Sequence, residues 1–195
     1  MGVSLDETHI LTSGGGTLWI ADVADICPLG FDDDVPLDDD LNVDYASAVQ
    51  IGVTTGTVEL SIDAPINGIP TNELPGMIKP YLGDTKATIK FNHVSVFQPD
   101  LLALLPSICY TTNSTRNKIY GARRSVNSTK GCIFVCEQDV GVFVFVLYKA
   151  YFSGPLVWTL GKNEYAKPSV TAMGIPVATR AFNDQLYQAY VTTPT

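Results

Sequence analysis

Alternating apolar and polar residues predict two strands with one buried and one wet face. In residues 56–63, GTVELSID, and residues 85–96, TKATIKFNHVSV, every second side chain is apolar over most of the stretch. In the second segment the phase shifts to Val94 and Val96, which suggests a bulge or bend near Asn92. Successive side chains of a strand point to opposite faces, so this period of two gives each strand a dry face and a polar face.

A longer apolar run predicts a strand that is covered on both faces. Residues 141–152, GVFVFVLYKAYF, are almost continuously β-branched or aromatic, which is typical of a strand buried on two sides. Shorter apolar segments predict further strands at 14–21, 155–160, 174–182 and 186–192.

One segment has the marks of a helix. In FQPDLLALLPS, residues 97–107, Pro99 suits the first turn and Pro106 ends the helix after a leucine-rich face. Seven or more strands and this one short helix predict a mainly β fold, a sandwich or barrel.

The chain length predicts a single domain that spans residues 1–195. Hydrophobic residues make up 46% of the chain, which is enough to form a core. Residues 1–13 are interpreted as an N-terminal arm, and residues 22–54 and 64–84 as long loops. Loops of that length are unusual inside a compact domain, so we expect both to reach neighbouring subunits.

Charge is distributed unevenly along the chain. Residues 1–78 contain 14 of the 20 Asp and Glu residues and none of the 12 Lys and Arg residues, within a net charge of −8. The acidic segment, residues 31–44, contributes seven aspartates: Asp32, Asp33, Asp34, Asp38, Asp39, Asp40 and Asp44. A later basic stretch contains Arg116, Lys118, Arg123, Arg124 and Lys130. This asymmetry suits head-to-tail contacts between copies of the chain, although it also suits a soluble monomer.

No motif indicates catalysis, a metal or another cofactor. The acidic segment lacks the order and the glycine of an EF-hand loop. Cys132 and Cys136 could form half of a metal site, but no second pair of ligands follows, and His9 and His93 stand alone. We therefore expect a protein without enzymatic activity, with cysteines that are mostly buried free thiols. No segment has the pattern of a signal peptide or a transmembrane helix, so we expect no membrane partner.

The order of elements resembles that of the major tail tube proteins of tailed bacteriophages. The resemblance covers most of residues 14–192 and rests on two phrases: a strand that leads into a Leu-rich helix, residues 97–105, and the late segment IPVATRAFND, residues 175–184. It implies a β-sandwich with a flanking helix, whose inner sheet joins those of neighbouring copies in a closed β-barrel.

The resemblance also implies a function and partners. Six copies would form a ring, and stacked rings would form the tail tube through which DNA passes during ejection without specific binding. The protein would belong to the virion, be assembled in the cytoplasm of the bacterial host, and contact tape measure, tail terminator and distal tail proteins.

Within that architecture, two sets of residues acquire expected roles. The polar positions of the two alternating strands would face the lumen: Glu59, Ser61, Asp63, Thr88, Lys90 and Asn92. The acidic segment would either line a pore rim or, as we expect, meet the basic stretch of an adjacent subunit. An acidic lumen would repel phosphates and let DNA slide.

Three alternatives remain open on the sequence. Tubes of bacterial secretion systems share the implied architecture. Another virion component, such as a tail terminator or a capsid decoration protein, would be structural without forming tubes. A monomeric ligand-binding β-sandwich would need exposed aromatic residues at its site, whereas Trp19 and Trp158 both fall within predicted strands.

Overall fold

The computed structural model describes most of the chain after its first fifteen residues. The described ranges are 16–28, 33–53, 58–64, 66–70, 77–82, 85–92, 99–105, 108–113, 116–121, 129–138, 141–154, 169–180 and 185–192. The predicted N-terminal arm, residues 1–13, and the predicted strand at 155–160 lie outside them.

Strands dominate these ranges, which confirms the mainly β fold class. The strands are β1 Thr17–Ala21, β2 Val49–Val53, β3 Glu59–Asp63, β4 Ile66–Pro70, β5 Met77–Leu82, β6 Lys86–Asn92, β7 Ile108–Asn113, β8 Arg116–Gly121, β9 Lys130–Gln138, β10 Gly141–Ser153, β11 Ser169–Gly174 and β12 Tyr187–Thr192. The helices are α1 Val23–Ile26 and α2 Pro99–Leu104.

Eight of the strands form one antiparallel sheet. Its order is β2-β1-β9-β10-β11-β6-β3, and β12 pairs with β10 as well. Among the strands that the structure describes, this sheet is not closed into a barrel. The other described strands form two separate hairpins, β4 with β5 and β7 with β8.

Strand β10 is the centre of the sheet and is covered on both faces, as its composition predicts. Phe145 and Leu147 belong to a core on the first face of the sheet, and Val144 and Val146 to a core on the second face. The register with β9 shifts between Leu147 and Ala150, a bulge-like irregularity that bends the strand.

Strands β11 and β12 lie in succession along one edge of β10. Strand β12 pairs with residues 142–147 and β11 with residues 150–153, and both are antiparallel to β10. Between them, the Ile175 N–H donates to the Lys149 carbonyl at 2.8 Å, after which the chain leaves the sheet. The predicted strand at 174–182 is therefore wrong, because most of it lies in this excursion rather than in the ladder.

The two helices cover different faces of the sheet. The leucine-rich helix was predicted, and in α2 Leu101 and Leu102 are buried in the first-face core. The prediction of a single helix is wrong, since α1 lies inside the predicted loop 22–54 and buries Ile26 in the second-face core. A Cβ at Gly131 of β9 would overlap the Ile26 side chain, so glycine permits this close approach.

Two segments for which no strand was predicted contain hairpins. Strands β4 and β5 occupy much of the predicted loop 64–84, although they include Pro70 and Pro80. Proline lacks the N–H that a central strand needs, but a two-stranded ribbon has outer edges where that N–H is not required. Similarly, β7 and β8 occupy the first part of the basic stretch.

Candidate functional site

A polar surface covers half of the second face of the sheet. Antiparallel register places Ser153, Thr171, Lys90 and Glu59 in one row across β10, β11, β6 and β3. A second row contains Tyr151, Met173, Thr88 and Ser61. Directly opposed residues point to the same face, so these rows form one surface, which we call the polar face.

The polar face lies directly behind a dry layer. The residues between its rows, among them Ile89, Ala172 and Phe152, are buried in the first-face core. The strand pattern therefore correctly predicted that Glu59, Ser61, Asp63, Thr88 and Lys90 share the polar side of neighbouring strands. The side chain of Asn92 lies outside the described set. That this surface lines a lumen stays a prediction.

Charges on the polar face are balanced. Lys90 Nζ lies 3.0 Å from Glu59 Oε1, and both side chains are more than half exposed. Exposed pairs of this kind contribute about 0.2–1 kcal/mol. Lys86 stands opposite Asp63 in the same ladder. The polar face itself thus supplies two carboxylates and two ammonium groups, not the net negative charge expected of an acidic lumen.

The acidic segment lies on the same side of the sheet as the polar face, over the other half. Val35 and Val43 are buried in the second-face core with Val135 and Val144. The aspartate side chains of the described part, residues 33–44, are exposed. The predicted inter-subunit loop therefore packs on its own sheet through its apolar residues and directs its carboxylates away from that sheet.

Side chains of β12 hold the acidic segment in place. The Val35 N–H donates to the Tyr190 hydroxyl oxygen at 2.6 Å, and Gln188 Nε2 donates to the Asp33 carbonyl at 3.1 Å. Gln188 Oε1 in turn accepts from the Tyr148 hydroxyl at 3.2 Å. Backbone groups of the acidic segment are thereby satisfied by a strand that is remote in sequence.

The centre of the acidic segment is a self-contained turn. Asp38 Oδ1 accepts from the N–H groups of Asp40 and Asn42, and Asp38 Oδ2 accepts from the Asn42 side-chain amide. These hydrogen bonds, that of the Asn42 side chain first, lower the pKa of Asp38. Leu41 has a φ of 60°, and a bridge between Leu37 and Val43 closes the turn.

Two tyrosines that pack against the second-face core, Tyr45 and Tyr190, have pKa values well above their usual range. Burial raises the pKa of Tyr45 to about 12, and nearby Asp25 and Asp33 add to the effect. Burial likewise raises the pKa of Tyr190 to about 12, against the lowering effect of the hydrogen bond from Val35. The Tyr45 hydroxyl is buried and has no hydrogen-bond partner among the described residues.

Further contacts fasten the ends of this covering layer. Lys130 forms an ion pair with Asp22 of its own chain, and the Asp22 N–H donates to Ser47 Oγ at 2.8 Å. Arg180, in the excursion after β11, donates to the Cys27 carbonyl at 2.8 Å. Its guanidinium carbon lies 3.6 Å from the centre of the Tyr148 ring, a cation–π contact.

Neither Lys118 nor Lys130, the two side chains of the basic stretch that the structure describes, forms an ion pair with the acidic segment. Lys130 is engaged by Asp22, and Lys118 is exposed on β8. Asp32, Arg123, Arg124 and the side chain of Arg116 lie outside the described set. Contact between the acidic segment and the basic stretch of another subunit stays a prediction.

Cys132 and Cys136 do not form a metal site together. Both are buried on the first face of β9. Positions four apart along a strand are separated by about 13 Å, too far for one ion. Burial raises the pKa of the Cys132 thiol. The part of the chain that the structure describes contains no group of three or more His, Cys, Asp or Glu side chains arranged to hold a metal.

Two further observations concern Trp19 and the helices. Trp19 is 8% exposed and packs in the second-face core, so it does not form an aromatic platform for a sugar. Neither helix among the described residues has the length and apolar character of a membrane span.

Neither a known protein family nor a curated protein matched the sequence.

Proposed function

We propose that this chain is a structural subunit of a phage tail tube, in which copies join edge to edge into rings and the rings stack around a channel for DNA. Six copies per ring is the number that the resemblance implies. The observation that carries the proposal is the open sheet with one face half polar and half covered by the acidic segment.

An open sheet of this kind suits a wall between a core and an aqueous channel. The first face carries a continuous core from Leu18 to Phe152, whereas the polar face leaves Glu59 and Lys90 in water. Joining such sheets edge to edge removes the unpaired backbone groups that an exposed edge presents.

Three described strands of the sheet, β2, β3 and β12, each pair with one described strand only, and we assign two of them, β3 and β12, to join neighbouring copies. Strand β3 pairs only with β6, and β12 only with β10, among the strands that the structure describes. Neither ELSID in β3 nor YQAYVT in β12 contains the lysine or proline that protects many natural edges. We assign β3 of one copy to β12 of the next, a head-to-tail contact that closes a ring when the rotation fits.

The same side of the sheet then determines the electrostatics of the channel. With the polar face inward, the aspartates of the acidic segment also project to the inside or to the rim. They supply the negative charge that the balanced polar face does not, and like charge keeps DNA phosphates from binding to the wall. This favours the rim location over the pairing with a basic stretch that the sequence alone suggested.

Light scattering coupled to size exclusion, followed by electron microscopy of the concentrated protein, tests the assembly. We expect rings or tubes with a central hole. The variant Ile62→Lys places a charge on the edge strand β3, where Ile62 is 47% exposed, and should prevent assembly. The matched control Met173→Lys changes a side chain that is 45% exposed on the interior strand β11, and should still assemble. A monomer at all concentrations, or equal behaviour of the two variants, would refute the proposal.

A second variant separates the two locations of the acidic segment. Asp34, Asp39 and Asp40 are exposed, and all three can be changed to asparagine together. For a rim or lumen location, tubes should form normally but retain single- or double-stranded DNA in a pull-down at low salt. For contact with a basic stretch of a neighbour, tubes should shorten and lose their salt sensitivity.

A further inference from the structure

Strand β12 has both an outer edge and the side chains that anchor the acidic segment. The proposed function uses these two features separately. One of its edges pairs with β10 from Val142 to Leu147, and no described strand pairs with the other edge. On the second face, its Gln188 and Tyr190 side chains hold the backbone of the acidic segment. The same six residues thus carry an outer edge, to which no described strand pairs, and the anchors of a charged covering layer.

We propose that β12 and the acidic segment form a latch, so that the docking of the acidic segment and the pairing of the outer β12 edge stabilise each other. A second copy of this chain is the partner that pairs with the edge, and this identification rests on the proposed function. The coupling between β12 and the acidic segment is a property of the single chain.

The contacts explain why the two elements move together. Tyr190 accepts the Val35 N–H, and Gln188 bridges the Asp33 carbonyl and the Tyr148 hydroxyl, so both anchors depend on the position of β12. On the opposite face, the Tyr187 ring stacks on Phe145 with centroids 5.7 Å apart. When β12 frays from β10, the acceptor and the donor for the acidic segment leave with it.

The acidic segment is built to undock as one piece. Its turn is closed internally by Asp38 and by the Leu37–Val43 bridge, and these bonds do not involve the sheet. Its attachment over the sheet includes buried apolar residues, chiefly Val35 and Val43, and the two anchors from β12. Free energy that one partner gives to docking must, by linkage, appear equally in the stability of the other.

The consequence for assembly is an ordering of events. A neighbour that pairs with β12 immobilises Gln188 and Tyr190 and thereby holds the acidic segment on the sheet. Conversely, a chain whose acidic segment is docked presents a β12 edge that is already ordered for pairing. Filling the edge then holds the aspartates in the positions that they have in the docked segment.

Hydrogen exchange measured by mass spectrometry on the full-length chain tests the latch. The peptides to follow cover residues 33–45 and 187–192. Tyr190→Phe removes the acceptor of the Val35 N–H, and loss of one such bond should speed exchange in residues 33–45 about fivefold to tenfold. Tyr187→Phe removes a hydroxyl from the opposite face of the same strand and is the matched control; it should leave residues 33–45 unchanged.

The effect of the acidic segment on β12 is the decisive test of the latch. Val43→Ala loosens the acidic segment without changing β12, and the latch requires that exchange in residues 187–192 also rise severalfold. Faster exchange in residues 33–45 with an unchanged β12 would overturn the latch, as would equal effects of Tyr190→Phe and Tyr187→Phe.

Assembly gives a separate readout. If rings form, protection should increase in β12 and in residues 33–45 together as the protein concentration is raised. Protection of β12 without protection of residues 33–45 would overturn the latch and leave the tube proposal standing. A chain that stays monomeric but shows the coupling between the two peptides would retain the latch and lose the tube.

Discussion

The hydroxyl groups of Tyr190 and Tyr45 should contribute to stability with different magnitude. Both pack against the second-face core, and burial raises the pKa of both to about 12. The Tyr190 hydroxyl accepts the Val35 N–H at 2.6 Å, whereas the Tyr45 hydroxyl is buried without a partner among the described residues. Tyrosine to phenylalanine at each position removes a single oxygen from the same layer.

The expected changes in the free energy of unfolding depend on whether the removed oxygen has a hydrogen-bond partner. In Tyr190→Phe a part-buried N–H loses its acceptor, which costs about 1–2 kcal/mol in the free energy of unfolding. Tyr45→Phe removes a buried hydroxyl that has no hydrogen-bond partner among the described residues. The free energy of unfolding should therefore stay the same or rise by up to about 1 kcal/mol. For a chain of this length, 1 kcal/mol corresponds to a change in Tm of roughly 2–4 °C.

Urea denaturation, followed by tryptophan fluorescence, measures the difference. We expect the midpoint to fall for Tyr190→Phe and to remain or rise for Tyr45→Phe, with an unchanged slope in both cases. Equal losses of stability in the two variants would show that the hydroxyls act only through packing. The hydrogen bond between Val35 and Tyr190 would then make no measurable contribution to stability.

Three further predictions concern pH, packing and thiols. Because the pKa of Tyr45 and that of Tyr190 are raised from 10.0 to about 12, the unfolded chain ionises first; stability should be full below about pH 10 and fall from there to about pH 12, measured as Tm against pH. Gly131→Ala should cost about 1–3 kcal/mol in urea unfolding because its methyl group meets the side chain of α1, and no loss would show that α1 can move away. Maleimide labelling of the native chain should modify half-exposed Cys27 before Cys132, which is fully buried, and the opposite order would contradict the placement of β9.

Patterns with a clear period or composition predicted their elements correctly. The alternation in β3 and β6 indicated both the strands and their polar side, and the continuous apolar run of β10 indicated coverage on two faces. In each case burial dictates the residue type directly, so the sequence carries the information locally.

Other elements depend on partners that a local pattern does not show. Strand β9 contains GCIFVC, a short apolar run that does not distinguish strand from helix until β1 and β10 are found on either side. The docking of the acidic segment was missed because Val35 and Val43 stand among aspartates without periodicity. Its anchor Tyr190 lies 155 positions from Val35, a distance over which no sequence pattern indicates contact.

The succession of β11 and β12 along a single edge of β10 has a practical consequence. Each strand has its own ladder to β10, so the covalent link through Ala178 and Thr179 contributes connectivity rather than pairing. A polypeptide divided at that exposed link would form two fragments that recombine by strand complementation. The carboxyl-terminal fragment could then carry a fluorophore or a reporter half into the otherwise intact fold.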